Sequence, residues 1–252
     1  MVIQDKDTDC KNQTSGKLEV KNLSFTYPDG KTVYNDISFT AEPGEIIGVT
    51  GPVACGKSTF GKTFLCECPY KGSIKYNGNE LSSVADNVRS GIISYLGHDT
   101  ELFNDSIKNN VLLGDDCNVS EYLKDVCIDK EVAQMENGVD TLIGNGGVRL
   151  SGGQVQRIAL ARTLCHKKPV LVLDDPFSAL DISTEKKIYN NLCDIAKNNI
   201  VIIMTHRLYM FPKMDKVIWM DNGKAIVGTH EEIMLQCPQY RKLYENVSTQ
   251  MR

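Results

Sequence analysis

The chain has 252 residues, with 28 Lys and Arg against 32 Asp and Glu, a net charge of −4. Hydrophobic residues make up 41% and charged residues 24%, which excludes a disordered or collagen-like chain. The mild acidity argues against general nucleic-acid binding, which needs a basic surface to displace counterions.

The first sixteen residues, MVIQDKDTDCKNQTSG, are polar and read as a flexible leader without the apolar centre of a secretion signal. Apolar runs such as Val170 to Leu173 and Ile200 to Met204 fall far short of the ~20 residues that cross a bilayer. Nine cysteines occur with no C-x-x-C pair and no clustered histidines, the pattern of free thiols in a reducing compartment.

From Lys17, LEVKNLSFTY alternates apolar and polar residues as a half-buried strand does, and VYNDISFT (33–40) repeats the pattern. GEIIGVTG (44–51) predicts a buried strand, followed by a helix from about Lys57 to Cys68. GSIKYNG (72–78) and GIISY (91–95) predict two more strands. Residues 98–165 carry helical periodicity and read as a mostly helical insertion. It closes with a helix from about Gly152 to Lys167, on which Ile158, Leu160, Ala161 and Leu164 share an apolar side. Strands return with PVLVLDD (169–175) and NNIVIIMTH (198–206). Asn222-Gly223 signals a hairpin, and Thr229 to Glu232 a capping box that opens the last helical stretch. Strands alternating with helices imply an α/β fold with a mostly parallel sheet, in one large domain or two small ones.

Three strings carry chemistry. Gly51, Pro52, Val53, Ala54, Cys55, Gly56, Lys57 and Ser58, with Thr59 next, form a G-x-x-x-x-G-K-S P-loop between a strand and a helix. Its glycines let backbone N–H groups converge on phosphate oxygens where a helix begins. Lys57 is expected at the β- and γ-phosphates and the Ser58 hydroxyl on Mg2+. VLVLDD then delivers Asp174 to the end of a buried strand as the metal-side carboxylate; the plainer alternative is a solvated Asp-Asp turn before Pro176. Leu150, Ser151, Gly152, Gly153 and Gln154 spell LSGGQ ahead of a helix, a second anion seat by the same logic.

With these strings in this order, the chain over 17–252 resembles the nucleotide-binding domain of ABC transporters. The resemblance implies a P-loop NTPase core of RecA-like type, an N-terminal antiparallel β part and an α-helical subdomain inserted at about 98–165. It assigns Asp181 in FSALD to the D-loop, His206 to the catalytic switch, and Tyr27 to stacking on adenine; a core tyrosine at a strand end is the alternative for Tyr27. It implies ATP and Mg2+ as cofactors and two cassettes pairing head to tail, so that LSGGQ binds the ATP of the partner chain. GTHEEI, YRKLYE and GVDTLIGNGG are similar to the exporter branch. The expected partners are transmembrane domains and a second nucleotide-binding domain, at the cytoplasmic face of a membrane. The polar start is what a cut between a membrane domain and its ATPase leaves.

Two catalytic positions depart from the family's pattern. Asp175 stands where a glutamate usually polarises the attacking water, and is one methylene shorter. His98 stands at the glutamine that senses the metal, or is a plain loop histidine. Asn145 replaces a frequent acidic residue before the signature. This combination resembles the subunit of heterodimeric exporters whose own Walker site is degenerate and whose intact LSGGQ completes the other site. An ATP-gated regulatory module with little hydrolysis is the alternative. A translation or DNA-repair ABC protein, or an importer subunit, fits the charge and length less well. Cys55, beside a helix N-terminus, is expected to have a lowered pKa and to be open to alkylation, or else to be an inert filler.

Overall fold

The computed structural model describes residues 16–144 and 147–250, with side chains described up to Val247. The expected leader, apart from Gly16, and Asn145 lie outside the described residues. Strands β1 (Leu18–Thr26), β2 (Thr32–Ala41), β4 (Lys71–Tyr76) and β5 (Asn79–Glu80) make an antiparallel sheet in the order β2-β1-β4-β5. Strands β3 (Ile46–Thr50), β6 (Ile93–Leu96), β7 (Val170–Asp174), β8 (Ile200–Met204), β9 (Lys216–Asp221) and β10 (Lys224–Gly228) make the second, in the order β10-β9-β3-β8-β7-β6. That sheet is parallel except for β10, which returns along β9 through Asn222 and Gly223, both at positive φ as a two-residue hairpin requires.

Every residue of β3, β7 and β8 is buried, as expected of parallel strands covered on both faces. Alternation along the strands divides the interior in two. Leu171, Leu173, Val201, Ile203 and Trp219 point into a core shared with the helices that follow β6. Val170, Val172, Ile200, Ile202 and Met220 point into a second core, shared with the antiparallel sheet and α1 (Lys57–Thr63).

Short α2 (Asp86–Arg89) precedes β6. Between β6 and β7 run α3 (Ile107–Leu112), α4 (Val119–Asp125), α5 (Asp129–Ala133) and α6 (Gly152–Cys165), matching the mostly helical stretch expected there. α7 (Ile182–Ala196) follows β7; α8 (His230–Gln236) and α9 (Pro238–Gln250) close the chain. Three boundaries differ from expectation. α1 ends at Thr63 rather than Cys68, because the chain turns through Cys66 at φ +58°. α6 stops two residues early, at Cys165. The last helical stretch breaks at Cys237, ahead of a proline that cannot continue a helix.

One buried polar hub ties the loop after β6 to the helices. Asn110 is fully buried. Its Nδ2 donates to the carbonyls of Phe103 and Ser106, both at 3.0 Å, while Oδ1 accepts from Phe103 N and Arg162 Nη2, both at 2.8 Å. Arg162 Nε also donates to Asn110 O at 2.7 Å. Elsewhere, buried His230 shares a 2.7 Å hydrogen bond with Tyr240, and its desolvation holds the imidazole below its ordinary pKa.

Two outcomes follow. Asn110→Ala strands several buried partners at once and is expected to cost about 2–4 kcal/mol in denaturant unfolding. His230 is neutral in the fold, and the unfolded chain takes up the proton more readily. Its contribution to stability is therefore complete above the ordinary histidine value of about 6.5 and declines as pH falls below it. Melting temperatures across that range should fall on the acid side, and His230→Phe should flatten the decline.

Candidate active site

Five parallel strands end on one edge of the six-stranded sheet, and the loops leaving that edge meet in a cleft of about 790 Å3. The P-loop leaves β3, His98 follows β6, Asp174 and Asp175 follow β7, Thr205 and His206 follow β8, and Asp221 ends β9; all line the cleft. This is where open α/β sheets bind ligands.

The P-loop is built by close approach. A Cβ on Gly51 would lie 2.0 Å from Met220 O, and one on Gly56 would lie 2.0 Å from Val33 Cγ1 with φ at +103°. Ala54 takes φ +62° without being glycine, a conformation that costs an L-residue about 1–2 kcal/mol. Lys57 Nζ donates to the carbonyls of Gly51 and Pro52, both at 3.2 Å, and lies 3.7 Å from Cys55 Sγ. The Cys55 thiol behaves opposite to expectation. Its burial pushes the pKa up, and the neighbouring Lys57 charge offsets only part of this.

Asp174 is 4% exposed. Desolvation raises its carboxyl pKa, against hydrogen bonding to the Ser58 hydroxyl and the charge of His98. Its Oδ2 is buried without a hydrogen-bond partner, a costly state for a carboxylate oxygen unless a cation or its water shell completes it. A Ser hydroxyl and one carboxylate fit Mg2+, which keeps several waters and takes phosphate oxygens for the rest. Among the described residues no cluster of three or more His, Cys, Asp or Glu stands ready to hold a metal unaided. The donor set therefore suits a metal that arrives with phosphate.

Asp175 sits at φ +50°, held by Asp175 N donating to Met204 O (2.8 Å) and Gln156 Nε2 donating to Asp175 O (3.1 Å). Its Oδ1 accepts from Thr205 Oγ1 at 3.4 Å. Across from it, desolvation by the cleft walls and then the Lys57 charge hold the His206 imidazole below its ordinary pKa, so the ring is neutral at pH 7. Tyr27 is 42% exposed at the cleft mouth, its ring edge-on to Phe25 and its hydroxyl 3.1 Å from Thr59 Oγ1; it is not a core residue.

The signature and the D-loop residue do not line this cleft. Ser151 caps α6, its Oγ accepting from Gln154 N at 3.2 Å. Gly153 packs so close to Ala179 that a Cβ would meet its carbonyl at 2.8 Å. Asp181 caps α7 by accepting from Ser183 N (2.9 Å), Thr184 N (3.0 Å) and Thr184 Oγ1 (2.7 Å), which depresses its pKa.

Several residues here carry no sequence signal. Gln156 bridges the Asp175 carbonyl and the Thr100 hydroxyl. Buried Glu185 accepts from Tyr209 OH at 2.5 Å and pairs with Arg207 Nε at 2.8 Å, anchoring the segment that carries His206 to α7. Lys31, Thr32, Asn222 and Gly223 complete the cleft wall. An alternating strand start and a hairpin turn were legible there, but not their convergence on the P-loop.

The ABC transporter family matches residues 34–178, more than half of the chain. The chain is 37% identical over 241 residues to the ATP-dependent lipid A-core flippase of Pseudomonas syringae pv. tomato, an alignment covering 92% of this chain and 40% of that protein. It is 35% identical over 237 residues to the ATP-binding cassette sub-family B member 6 of Xenopus tropicalis, covering 92% and 28%. Among solved structures, a bacterial Atm1-family ABC exporter with ATP bound superposes with a TM-score of 0.85 at 28% identity, covering 93% of this chain and 42% of that one. The chain thus spans less than half the length of these relatives. It belongs to the ABC transporter family, as an ATP-binding domain of the exporter type.

Proposed function

We propose that residues 17–252 form one ATP-hydrolysing cassette, with 98–165 as its inserted helical subdomain, that powers an exporter at the cytoplasmic face of a membrane. The observation that carries the reading is the division of labour within the chain. The P-loop, Asp174, Asp175, His98, His206 and Tyr27 share one cleft, whereas Leu150 to Gln154 and Asp181 lie outside it. One chain holds two half-sites, and a second cassette is needed to close each.

In this reading the Tyr27 ring stacks on adenine and the P-loop N–H groups and Lys57 grip the phosphates. Ser58 and Asp174 would hold Mg2+, which would supply charge neutralisation at the β- and γ-phosphates. Asp175 orients the attacking water, and neutral His206 offers a hydrogen bond to the γ-phosphate side. The shorter Asp175 side chain is engaged by the Thr205 hydroxyl at 3.4 Å, one methylene short of the reach of a glutamate. A misplacement near 1 Å costs about 10²-fold in rate. We therefore assign this chain's own Walker site as the slow, ATP-holding one, His98 replacing an uncharged metal sensor beside it. Its LSGGQ completes the competent site of a different subunit. The Asp175–Thr205 contact equally supports an ATP-gated module that pairs but scarcely hydrolyses. Single-turnover hydrolysis in the assembled pair separates the two.

The transmembrane domains dock, in this proposal, where Phe103 is 61% exposed with the Arg162 guanidinium 5.0 Å over its ring. Arg162 and exposed Leu113 also line a neighbouring cavity of about 260 Å3. Among the described residues no helix is long and apolar enough to cross a membrane.

Two measurements test the reading. Asp175→Glu should raise single-turnover ATP hydrolysis at this chain's site by about 10–100-fold when the partner's site is blocked. No gain, or brisk cooperative hydrolysis by the unmodified isolated chain, defeats the degenerate-site assignment. Alkylating Cys55 should abolish ATP binding, with ATP protecting the thiol. Because burial raises its pKa, the reaction should be slow at neutral pH and quicken in alkali. Unchanged affinity after complete modification refutes its place in the nucleotide seat.

A further inference from the structure

Cys165 is the last residue of α6, and Cys117 lies in the loop between α3 and α4. Their thiols are hydrogen-bond neighbours, and the Tyr122 hydroxyl on α4 reaches both sulfurs. A second contact fixes the approach of the same two segments. His166 Nδ1 lies 3.2 Å from Asp115 Oδ2, and its Nε2 lies 3.1 Å from Val111 O. Cys117 is exposed and Cys165 is half-buried; both are free thiols. Burial pushes the Cys165 thiol above its ordinary pKa. Among the described residues no cluster of three or more His, Cys, Asp or Glu could hold a metal, which leaves the two sulfurs to their own chemistry.

We propose that Cys117 and Cys165 are a thiol-oxidation site, which a small peroxide converts to a disulfide. Exposed Cys117 meets the peroxide first. Its thiolate attacks one oxygen, the O–O bond breaks, and a sulfenic acid forms; the released hydroxide takes up the thiol proton and leaves as water. The Cys165 sulfur then attacks the Cys117 sulfur. The S–S bond forms, the S–O bond breaks, and the departing hydroxide carries off the Cys165 proton as a second water. Two thiols and one H2O2 thus give one disulfide and two waters, with sulfur oxidised and peroxide oxygen reduced. Burial suits Cys165 to the second step, because its target is a sulfur already beside it. In a reducing compartment such a pair rests as thiols, and its disulfide is transient.

The bond closes a covalent loop around α4, α5 and α6 and staples the α3–α4 loop to the outer end of α6. Leu113, Arg162 and His166, which flank the staple, line the cavity of about 260 Å3, so oxidation stiffens that wall. Neither cysteine lines the nucleotide cleft, and the site stands independently of the proposed function.

The test treats the reduced full chain with a small excess of H2O2, blocks remaining thiols with N-ethylmaleimide and maps the unreduced peptides by mass spectrometry. The expected product is a Cys117–Cys165 cross-link within one chain, which dithiothreitol reverses. The melting temperature should rise by roughly 5–10 °C on oxidation and return on reduction, since closing a long loop restricts the unfolded chain. Cys165→Ser should instead leave a Cys117 sulfenic acid that dimedone traps, and Cys117→Ser should leave Cys165 a thiol. Neither variant should gain the rise in melting temperature. Free thiols at both positions after peroxide overturn the proposal, as does a cross-link from Cys117 to any other cysteine or to a second chain. A sulfenic acid that persists at Cys117 in the unmodified chain overturns it too, because Cys165 then fails to resolve it.

Discussion

The register between β7 and β8 sets the height of the aspartates and the histidine that line the cleft. Asp174 lies opposite Met204, and the next residue's N–H donates to the Met204 carbonyl. Because β3 pairs with β8 in the same parallel sense, the P-loop, the two aspartates and His206 all emerge at one level. A slip of one residue would turn Asp174 to the opposite face of the sheet and bury a side chain of the wrong kind in each core. The full burial of β3, β7 and β8 guards against that slip, so hydrophobic packing determines where the charges stand.

Some of the chain's positive-φ positions lie at and beside the cleft, others in turns remote from it such as Cys66, Leu113 and Cys127. Ala54 in the P-loop, Asp175 after β7 and Ala179 before the D-loop aspartate all take positive φ without being glycine. Such conformations persist only where the surroundings over-determine them. Here the surroundings are identifiable: Lys57 on the P-loop carbonyls, Met204 and Gln156 on Asp175, and the close approach of Gly153 to Ala179.

Much of this was legible in the sequence, and the exceptions have a common cause. Continuous apolar runs announced β3, β7 and β8, and Asn222-Gly223 announced the β9–β10 turn. The P-loop string announced a phosphate seat because its function requires particular backbone freedom at fixed spacing. α7 was legible too, since its buried Ile188, Tyr189, Leu192 and Ala196 recur at helical spacing behind the Asp181 cap, yet the sequence reading placed no helix there. Asn110, Glu131 and Glu185 were missed because each is a polar residue whose meaning lies in partners brought close only by folding. The Cys55 expectation failed for the same reason. Proximity to a helix start is a local property, whereas the desolvation that outweighs it depends on neighbours distant in sequence.

α6 has contacts at successive points along one rod. Gln154 and Arg157 hold Glu131 near its start, Gln156 touches the Asp175 carbonyl and Thr100, and Arg162 seizes Asn110 and lies over Phe103 near its end. Fourteen residues make a rod of about 21 Å. Pivoted at one end, such a rod converts a tilt of about 5° into a displacement of about 2 Å at the other, larger than the tolerance of a catalytic contact. The helix therefore has the mechanics of a lever when it pivots at its outer end, where Asn110 holds Arg162. A rotation of a few degrees about that end is enough to make or break alignment at the inner one.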